Sequence, residues 1–206
     1  MKYIIMADGK GTRWNNYHNI PKHLIEIGGE TLLARTVRLL RENDALADIV
    51  ITSHDPRYEV PGARRYEPRH NHLEIDRFTE ELIENDACFL YGDTFYSEQV
   101  IKKIVQTPAE KLLFFGNERS IVAIKVADGA LFRQHVDRVR ELFLAGKIEK
   151  CIGWQVYQSF LNLPFGEKKI DTKFILLKDG TEDFTSPEDY NRRKSKCAES
   201  SDMWAR

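Results

Sequence analysis

The sequence has few of the features that mark secreted, disulfide-bonded and membrane-spanning proteins. Its three cysteines, Cys88, Cys151 and Cys197, are widely spaced and form no C-x-x-C pair. Neither a disulfide framework nor a zinc site is therefore expected. No apolar run approaches the roughly 18 residues of a membrane span, and the first residues lack the pattern of a signal peptide. We expect a cytoplasmic protein with no membrane partner.

Charge of one sign is not in excess either. Lys and Arg number 31 against 32 for Asp and Glu, so the chain has no overall basic field to hold nucleic acid. A charged partner should be small and bound locally. With 206 residues and 42% hydrophobic content, the chain is long enough for one sizeable core, and a single domain is expected.

Strand-like and helix-like patterns alternate along the chain. The predicted strands are KYIIMA, DIVITS, ACFLYGD, KLLFFG, SIVAIKV and DTKFILL. The predicted helices are TLLARTVRLLREN, LEIDRFTEELIEN, SEQVIKKIVQ, GALFRQHVDRVRELFLAGK and SPEDYNRRK. This order favours an α/β fold, a single-domain Rossmann-like α/β/α sandwich with a mixed, mostly parallel sheet, over residues 1–194, followed by a polar tail at 195–206. Ligands of such folds collect at the carboxyl ends of the strands.

The segment MADGKGTRWNNYHNIPKHL, residues 6–24, follows the first predicted strand and therefore lies at that edge. Gly9 and Gly11 allow main-chain N–H groups to approach an anion closely, and Arg13 supplies a forked, permanent positive charge. The segment is neither a Rossmann fingerprint, since Trp14 stands where the third glycine would fall, nor a Walker A loop. A phosphate-binding loop and a tight surface turn remain the two interpretations.

Three pieces of sequence in order carry a family resemblance. They are G-x-G-T-R followed by Pro-Lys and LIEIGGETLLARTV, then FLYGDTFYS, then TEDFTSPEDY, and together they span residues 2–190. The arrangement resembles the nucleotidyltransferases that join a nucleoside triphosphate to a sugar phosphate, phosphocholine or a similar small phosphate, and the related molybdenum-cofactor cytidylyltransferases. The resemblance implies their α/β/α fold and transfer of a nucleoside monophosphate.

The resemblance also implies roles for individual residues. Arg13 and Lys22 would be catalytic, and Asp93 and Asp183 would bind Mg²⁺. The implied nucleotide contacts are Ala7, Gly9, Lys10, Gly11, Thr12, Arg13, Lys22, Ser53 and Asn71. For the second metal ligand the residue chemistry leaves alternatives open, since Glu182 is adjacent to Asp183 and Asp189 lies nearby.

One residue departs from the family pattern, and the acceptor site has only candidates. Asp8 stands before Gly9 where a small neutral residue is usual, and its carboxylate should repel a triphosphate unless it faces the metal or Lys10. Arginine grips phosphate in bidentate fashion and aromatic rings enclose cationic groups. The candidate acceptor residues are Arg65, Arg69, Lys125, Trp154 and Tyr157. The alternative for Trp154 and Tyr157 is that they pack in the core.

The resulting expectation is a Mg²⁺-dependent, cytidylyltransferase-like enzyme, monomeric or homodimeric. Its partners would be a nucleoside triphosphate, with CTP favoured, and a small phosphorylated or phosphonate acceptor, with pyrophosphate released. Two alternatives stay open. A glycosyltransferase of the related nucleotide-sugar-binding fold usually needs D-x-D, whereas Asp93 is followed by Thr94 and Phe95. A catalytically silent nucleotide-binding module would bind without turnover.

Overall fold

The computed structural model describes residues 1–167 and 169–204, and side chains as far as Ser195. In chain order the strands are β1 (Lys2–Met6), β2 (Glu26–Ile27), β3 (Glu30–Thr31), β4 (Asp48–Thr52), β5 (Arg64–Tyr66), β6 (Ala87–Tyr91), β7 (Thr94–Phe95), β8 (Leu112–Gly116), β9 (Ile121–Val126), β10 (Phe174–Leu176) and β11 (Glu182–Asp183). The α-helices are α1 (Leu32–Asn43), α2 (Glu98–Gln106), α3 (Gly129–Leu144), α4 (Gly153–Phe160) and α5 (Pro187–Trp204). Each strand and helix predicted from the sequence appears here, except the helix predicted over LEIDRFTEELIEN.

A central seven-stranded sheet has the order β10-β8-β9-β6-β1-β4-β5. Strand β9 runs antiparallel to both of its neighbours, and the other pairings are parallel. The predicted mixed, mostly parallel sheet is confirmed. Two short antiparallel pairs, β2 with β3 and β7 with β11, lie outside this sheet. The carboxyl ends of the parallel strands meet at one edge, where ligands of such folds bind.

Helices cover both faces of the sheet because its central strands are apolar on both sides. In β1, Tyr3 and Ile5 pack in one core cluster and Ile4 and Met6 in the other. Helices α1 and α2 contribute to the first cluster, and α3 and α4 to the second. The molecule is therefore the predicted three-layer α/β/α sandwich.

Local capping signals start these helices where the sequence predicts. The Ser97 hydroxyl accepts a hydrogen bond from the Val100 N–H at 3.1 Å, at the start of α2. The Asp128 carboxylate accepts from the Leu131 N–H at 2.9 Å, at the start of α3. These contacts satisfy N–H groups that have no partner within the helix. Beyond α3, Gly146 has a φ of +67°, the left-handed geometry that ends a helix.

The helix predicted over residues 73–85 is wrong. The segment forms two short 3₁₀ turns, Glu74–Phe78 and Glu80–Leu82, separated by Thr79 at a φ of +36°. Buried Asp76 binds the N–H groups of His72 and Leu73 at 2.8 Å each and pairs with Arg140 of α3. These contacts favour a capped turn over a continued helix. The apolar positions that suggested a helix, Ile75, Phe78, Leu82 and Ile83, are nevertheless buried.

The C-terminal helix α5 begins at Pro187, as predicted, and continues to Trp204, beyond residue 194 where the domain was expected to end. The helix therefore includes most of the predicted tail at 195–206, whose side chains after Ser195, that of Cys197 included, lie outside the described part of the chain, as do residues 205 and 206. Cys88 and Cys151 are buried and free. Within the described part of the chain, no helix combines the length and apolarity needed to cross a membrane.

Candidate functional site

A cleft of about 1110 Å³ lies at the carboxyl edge of the sheet. Its walls come from segments that directly follow strands. They are residues 8–13 after β1, 71–74 after β5, Asp93 after β6, 117–120 between β8 and β9, and 177–178 after β10. The starts of α4 and of the segment around β11 complete the lining. The cleft therefore gathers residues that are far apart in the sequence at the edge where the fold places ligands.

The glycine-rich loop forms one end of the cleft. Gly11 adopts a φ of +59°, and a 3₁₀ turn over Thr12–Trp14 follows it. Trp14 is buried, and its indole N–H donates to the carbonyl of Ile20 at 2.7 Å. The side chains of Lys10, Thr12 and Arg13 remain unpaired within the described structure and line the cleft. The loop thus presents two cations and several main-chain groups to a ligand.

The Asp8 carboxylate, which the sequence predicts to lie beside the expected triphosphate, lines the cleft and is hydrogen-bonded to His54. Its Oδ1 accepts from the backbone N–H of His54 at 2.9 Å, and its Oδ2 lies 2.7 Å from Nδ1 of the same residue. The Asn71 amide donates to the Asp8 carbonyl at 2.7 Å. Both carboxylate oxygens are therefore engaged by the loop that follows β4.

Lys22 and Asp93 form an ion pair in the cleft, joining the Lys22 ammonium to Oδ2 of Asp93. Burial raises the pKa of Asp93, but the Lys22 ammonium, through its charge and its hydrogen bond, together with Arg77 lowers it by more, so the net pKa lies below its usual value. Asp93 is thus ionised at neutral pH, as a metal ligand requires.

Two buried groups hold this pair in place. His23 is fully buried, its Nδ1 lies 2.9 Å from the Tyr58 hydroxyl, and burial together with the Lys22 ammonium lowers its pKa to about 3. The imidazole is therefore neutral and does not compete for Asp93. Gly92 lies against β1, where an added Cβ would come within 2.9 Å of the Met6 carbonyl oxygen. Only glycine permits this approach, which brings Asp93 close to the glycine-rich loop.

The ladder of β7 and β11 brings Asp183 beside Asp93. Asp183 pairs with Thr94, and the N–H of Phe184 donates to the Asp93 carbonyl at 2.7 Å. Asp183 lines the cleft, and its carboxylate takes part in no hydrogen bond or ion pair with any described residue. Glu182 also lines the cleft, and its carboxylate lies 3.7 Å from the guanidinium groups of Arg192 and Arg193.

Asp189, the other alternative for the second carboxylate, is occupied by helix capping. Its Oδ2 accepts from the N–H and hydroxyl groups of Thr185 and Ser186 at 3.0–3.3 Å. Its Oδ1 accepts from Arg192 at 2.9 Å. Of the three acidic residues near the C-terminal motif, Asp183 alone has a carboxylate in no ion pair with a described residue, whereas Glu182 lies 3.7 Å from Arg192 and Arg193 although its Oε1 accepts no hydrogen bond among the described residues.

Two implied nucleotide contacts lie beneath the cleft and not in its lining. Ala7 is buried, and its N–H donates to the Thr52 carbonyl at 3.2 Å. Ser53 is also buried, and its N–H donates to the Tyr66 carbonyl at 2.9 Å. These residues support the loops above them. Asn71 does line the cleft.

Four of the five residues predicted to bind the acceptor do not line the cleft. Lys125 is buried, and its ammonium donates to the carbonyls of Ile104, Val105 and Thr107 at 2.7–3.0 Å, at the end of α2. It stabilises the C-terminus of a helix, where unsatisfied carbonyls favour a cation, and it does not line the cleft. Tyr157 is fully buried, and its hydroxyl donates to the Lys169 carbonyl, so the core interpretation holds for it.

Arg65 and Arg69 also lie outside the cleft lining. The Arg65 guanidinium donates to the Ser53 carbonyl at 2.9 Å, and Arg69 is exposed beside Glu81. Trp154 alone among the five acceptor candidates lines the cleft. Its ring stacks on Phe174 with centroids 5.4 Å apart, so it serves both the core and the cleft wall.

Comparison with known proteins gives a clear result for the fold. The sequence matches no protein-family model and no curated protein. CTP:phosphocholine cytidylyltransferase from Streptococcus pneumoniae superposes with a TM-score of 0.58 at 14% identity, over 94% of this chain and 97% of that one. 2-C-methyl-D-erythritol 4-phosphate cytidylyltransferase from Thermus thermophilus gives 0.57 at 17% identity, over 96% and 98%. The inositol-1-phosphate CTP transferase of T. maritima gives 0.54 at 13% identity, over 95% of each chain.

The chain has the nucleotidyltransferase fold. The likeness extends over nearly the whole length of both partners in each pair, which agrees with a single domain and with motifs that span residues 2–190. At these identities the likeness concerns the fold, and the fold class predicted from the motifs is confirmed.

Within this nucleotidyltransferase fold, the cleft is also lined by cations that the motifs do not identify. They are Arg77, Arg119, Lys150, Lys178 and Arg192. The sequence offered a signal for two of them, since Arg119 lies between two predicted strands and Lys178 directly follows another. Arg77 was hidden by the wrong helix prediction. The cleft lining therefore combines the Asp93 and Asp183 carboxylates with cations from several segments of the chain.

Proposed function

We propose that this protein is a Mg²⁺-dependent nucleotidyltransferase. It transfers a nucleoside monophosphate from a nucleoside triphosphate to a small phosphorylated or phosphonate acceptor and releases pyrophosphate. The observation that carries the proposal is the convergence of the loop at 9–13, Lys22, Asp93 and Asp183 on one cleft. These groups come from chain segments up to 170 residues apart, and each has the chemistry to bind or neutralise phosphate or its cation.

The two carboxylates fit a magnesium ion. Mg²⁺ takes oxygen ligands, keeps several waters and is commonly held by one or two carboxylates together with substrate phosphates. In the described part of the chain, no three His, Cys, Asp or Glu side chains are close enough to hold a metal by themselves. A pair of carboxylates that shares the ion with a triphosphate agrees with this. Asp93 and Asp183 would hold the ion, which supplies charge neutralisation for the phosphates.

Different residues of the cleft act on different phosphates of the nucleotide. The loop at 9–13 holds the β- and γ-phosphates through its N–H groups and Arg13, and Lys22 reaches the α-phosphate. An oxygen of the acceptor phosphate attacks the α-phosphorus, the bond from that phosphorus to the β-phosphate oxygen breaks, and pyrophosphate leaves. The acceptor oxygen is already anionic, so no general base is needed. Lys22 neutralises charge that develops in the transition state, and its ammonium exchanges Asp93 for phosphate as the nucleotide enters.

CTP is the favoured donor, and the acceptor is a small polar phosphate. Three structural neighbours are named as CTP-dependent enzymes for phosphocholine, methylerythritol phosphate and inositol phosphate. The cleft, at about 1110 Å³, slightly exceeds the roughly 300–1,000 Å³ usual for one ligand, which suits two. The cations Arg77, Lys150 and Lys178 in its lining suit a second phosphate.

A pyrophosphate-release screen tests the proposal. Each of the four ribonucleoside triphosphates is incubated with Mg²⁺ and a panel of phosphorylated alcohols, amines and sugars. The expected result is pyrophosphate release with one triphosphate and one acceptor class, abolished by Lys22→Ala and retained by Lys102→Ala, a change on the exposed face of α2. Release of a nucleoside diphosphate from a nucleotide-sugar would indicate a glycosyltransferase, and nucleotide binding without turnover would indicate a silent module.

A further inference from the structure

Asp8 directly precedes the loop that we propose binds triphosphate. A carboxylate at this position should repel the phosphates. The chain immediately before it is fixed on both sides. The Ala7 N–H donates to the Thr52 carbonyl of β4, and the Gly92 N–H donates to the Met6 carbonyl at 2.9 Å. Asp8 is therefore the point at which β1 leaves the sheet and the loop begins.

Three contacts hold Asp8 at that point, from two other strand ends. His54, which follows β4, binds both carboxylate oxygens through its backbone N–H and its ring, at 2.9 and 2.7 Å. Asn71, which follows β5, binds the Asp8 carbonyl at 2.7 Å. The Asp8 side chain is only 10% exposed, while His54 is 47% exposed. The contacts join the ends of three neighbouring strands.

The exposed part of the loop has no comparable support. The side chains of Lys10, Thr12 and Arg13 are unpaired among the described residues, and a Cβ added at Gly9 would meet nothing within 4 Å. At its far end the loop is held by buried Trp14, whose indole N–H donates to the Ile20 carbonyl at 2.7 Å. The segment 9–13 is thus anchored at Asp8 and at Trp14, with two glycines of high backbone freedom between.

We propose that Asp8 is a positioning residue for nucleotide binding. Its carboxylate fastens the near end of the phosphate-binding loop to His54, so that the main-chain N–H groups are ordered before the triphosphate arrives. This inference rests on the proposed function. Without the anchor, the loop must be ordered by the ligand, and ordering one residue costs about 1–2 kcal/mol. Since a tenfold change in affinity corresponds to about 1.4 kcal/mol, removal of the anchor weakens triphosphate binding about tenfold.

The test measures dissociation constants by calorimetry for Mg²⁺–CTP and for inorganic tripolyphosphate, which probes the loop whatever the preferred base. Asp8→Ala removes the anchor and should weaken both ligands about tenfold. Asp8→Asn removes the charge but can keep both contacts, because its Oδ1 accepts from the His54 N–H and its Nδ2 donates to Nδ1 in the ring tautomer that carries the proton on Nε2. It should bind within about twofold of the wild type. Asp55→Ala, a carboxylate on the same loop that contacts Arg57, is the matched control and should leave both constants unchanged.

Any other result of these measurements would overturn the inference, and each would do so for a different reason. Tighter binding by both Asp8 variants would mean that the carboxylate simply repels phosphate. A lower Tm for Asp8→Ala with unchanged affinity would mean a structural role alone. If Asp8→Ala does not fold, His54→Ala, which leaves the backbone N–H in place, should still weaken both ligands, and unchanged affinity there overturns the proposal. If the wild type binds neither ligand, the proposed function fails and this inference with it, whereas equal affinities of wild type and Asp8→Ala remove this inference alone.

Discussion

The Lys22–Asp93 ion pair should make the nucleotide-free protein a poor metal binder. The ammonium rests on the carboxylate that would ligate the ion, and the two side chains are only 13% and 15% exposed. A divalent cation that enters alone must share Asp93 with this positive charge or displace it. We predict that Lys22→Met, which keeps the length of the side chain and removes its charge, binds Mn²⁺ more tightly than the wild type.

The size of the effect follows from the burial of the pair. Two unit charges about 4 Å apart interact by about 4 kcal/mol at an effective permittivity near 20. Part of that attraction is offset by desolvation of the two groups. If one third to two thirds of it opposes the metal, the dissociation constant should fall by about 10- to 100-fold, since about 1.4 kcal/mol is tenfold.

Electron paramagnetic resonance measures this directly, through the free Mn²⁺ signal in a titration without nucleotide. Lys10→Met is the matched control, because Lys10 carries the same charge into the cleft without contacting Asp93, and its affinity should stay within about threefold of the wild type. Asp93→Asn added to Lys22→Met should abolish the gain. Equal Mn²⁺ affinity of wild type and Lys22→Met would refute the argument.

Three further predictions concern the cleft and its supports. Asp93→Asn and Asp183→Asn should each lower kcat by about two to three orders of magnitude, the usual loss for a charge-stabilising group, with an unchanged circular dichroism spectrum. Near-normal turnover at limiting Mg²⁺ would contradict the assignment. Burial raises the pKa of Asp76, but two backbone N–H groups and Arg140 lower it by more. The contacts of the ionised Asp76 therefore stabilise the fold above the unfolded pKa of about 3.9, and this stabilisation is lost as the pH falls through the lower folded value. Urea denaturation should accordingly show a steeper loss of stability between about pH 4 and pH 2 for the wild type than for Asp76→Asn. Lys125→Met should cost about 1–2 kcal/mol in the free energy of unfolding, because three carbonyls lose their donor, and leave acceptor kinetics unchanged; a raised acceptor KM would contradict the placement of Lys125.

Local sequence was sufficient for most of the fold and for the loop at the cleft. Apolar runs with turn signals between them identified the strands, and capping residues such as Ser97 identified helix starts, because these depend on groups within a few residues of one another. The glycines and Arg13 predicted an anion-binding loop from local sequence in the same way, and the structure places this loop in the cleft lining. The position of that loop after a strand of a mostly parallel sheet then placed it at the ligand edge.

Contacts between distant segments decided the rest. The apolar spacing of residues 73–85 is that of a helix, yet Arg140 of another layer and the Asp76 cap stabilise turns there. Charge alone favoured Lys125 as a phosphate ligand, but its strand position directs it under α2.

Contacts between distant segments also decided the partners of the carboxylates in the cleft. Asp8 looked repulsive until His54, 46 residues away, accounted for both of its oxygens. Asp183 could not be separated from Glu182 or Asp189 by sequence, and only the folded structure shows that Glu182 pairs with arginines and that Asp189 caps a helix. A residue type specifies which charge or hydrogen bond it carries, whereas its partner is set by which chain segments the packed sheet brings within about 3 Å, the range of a hydrogen bond.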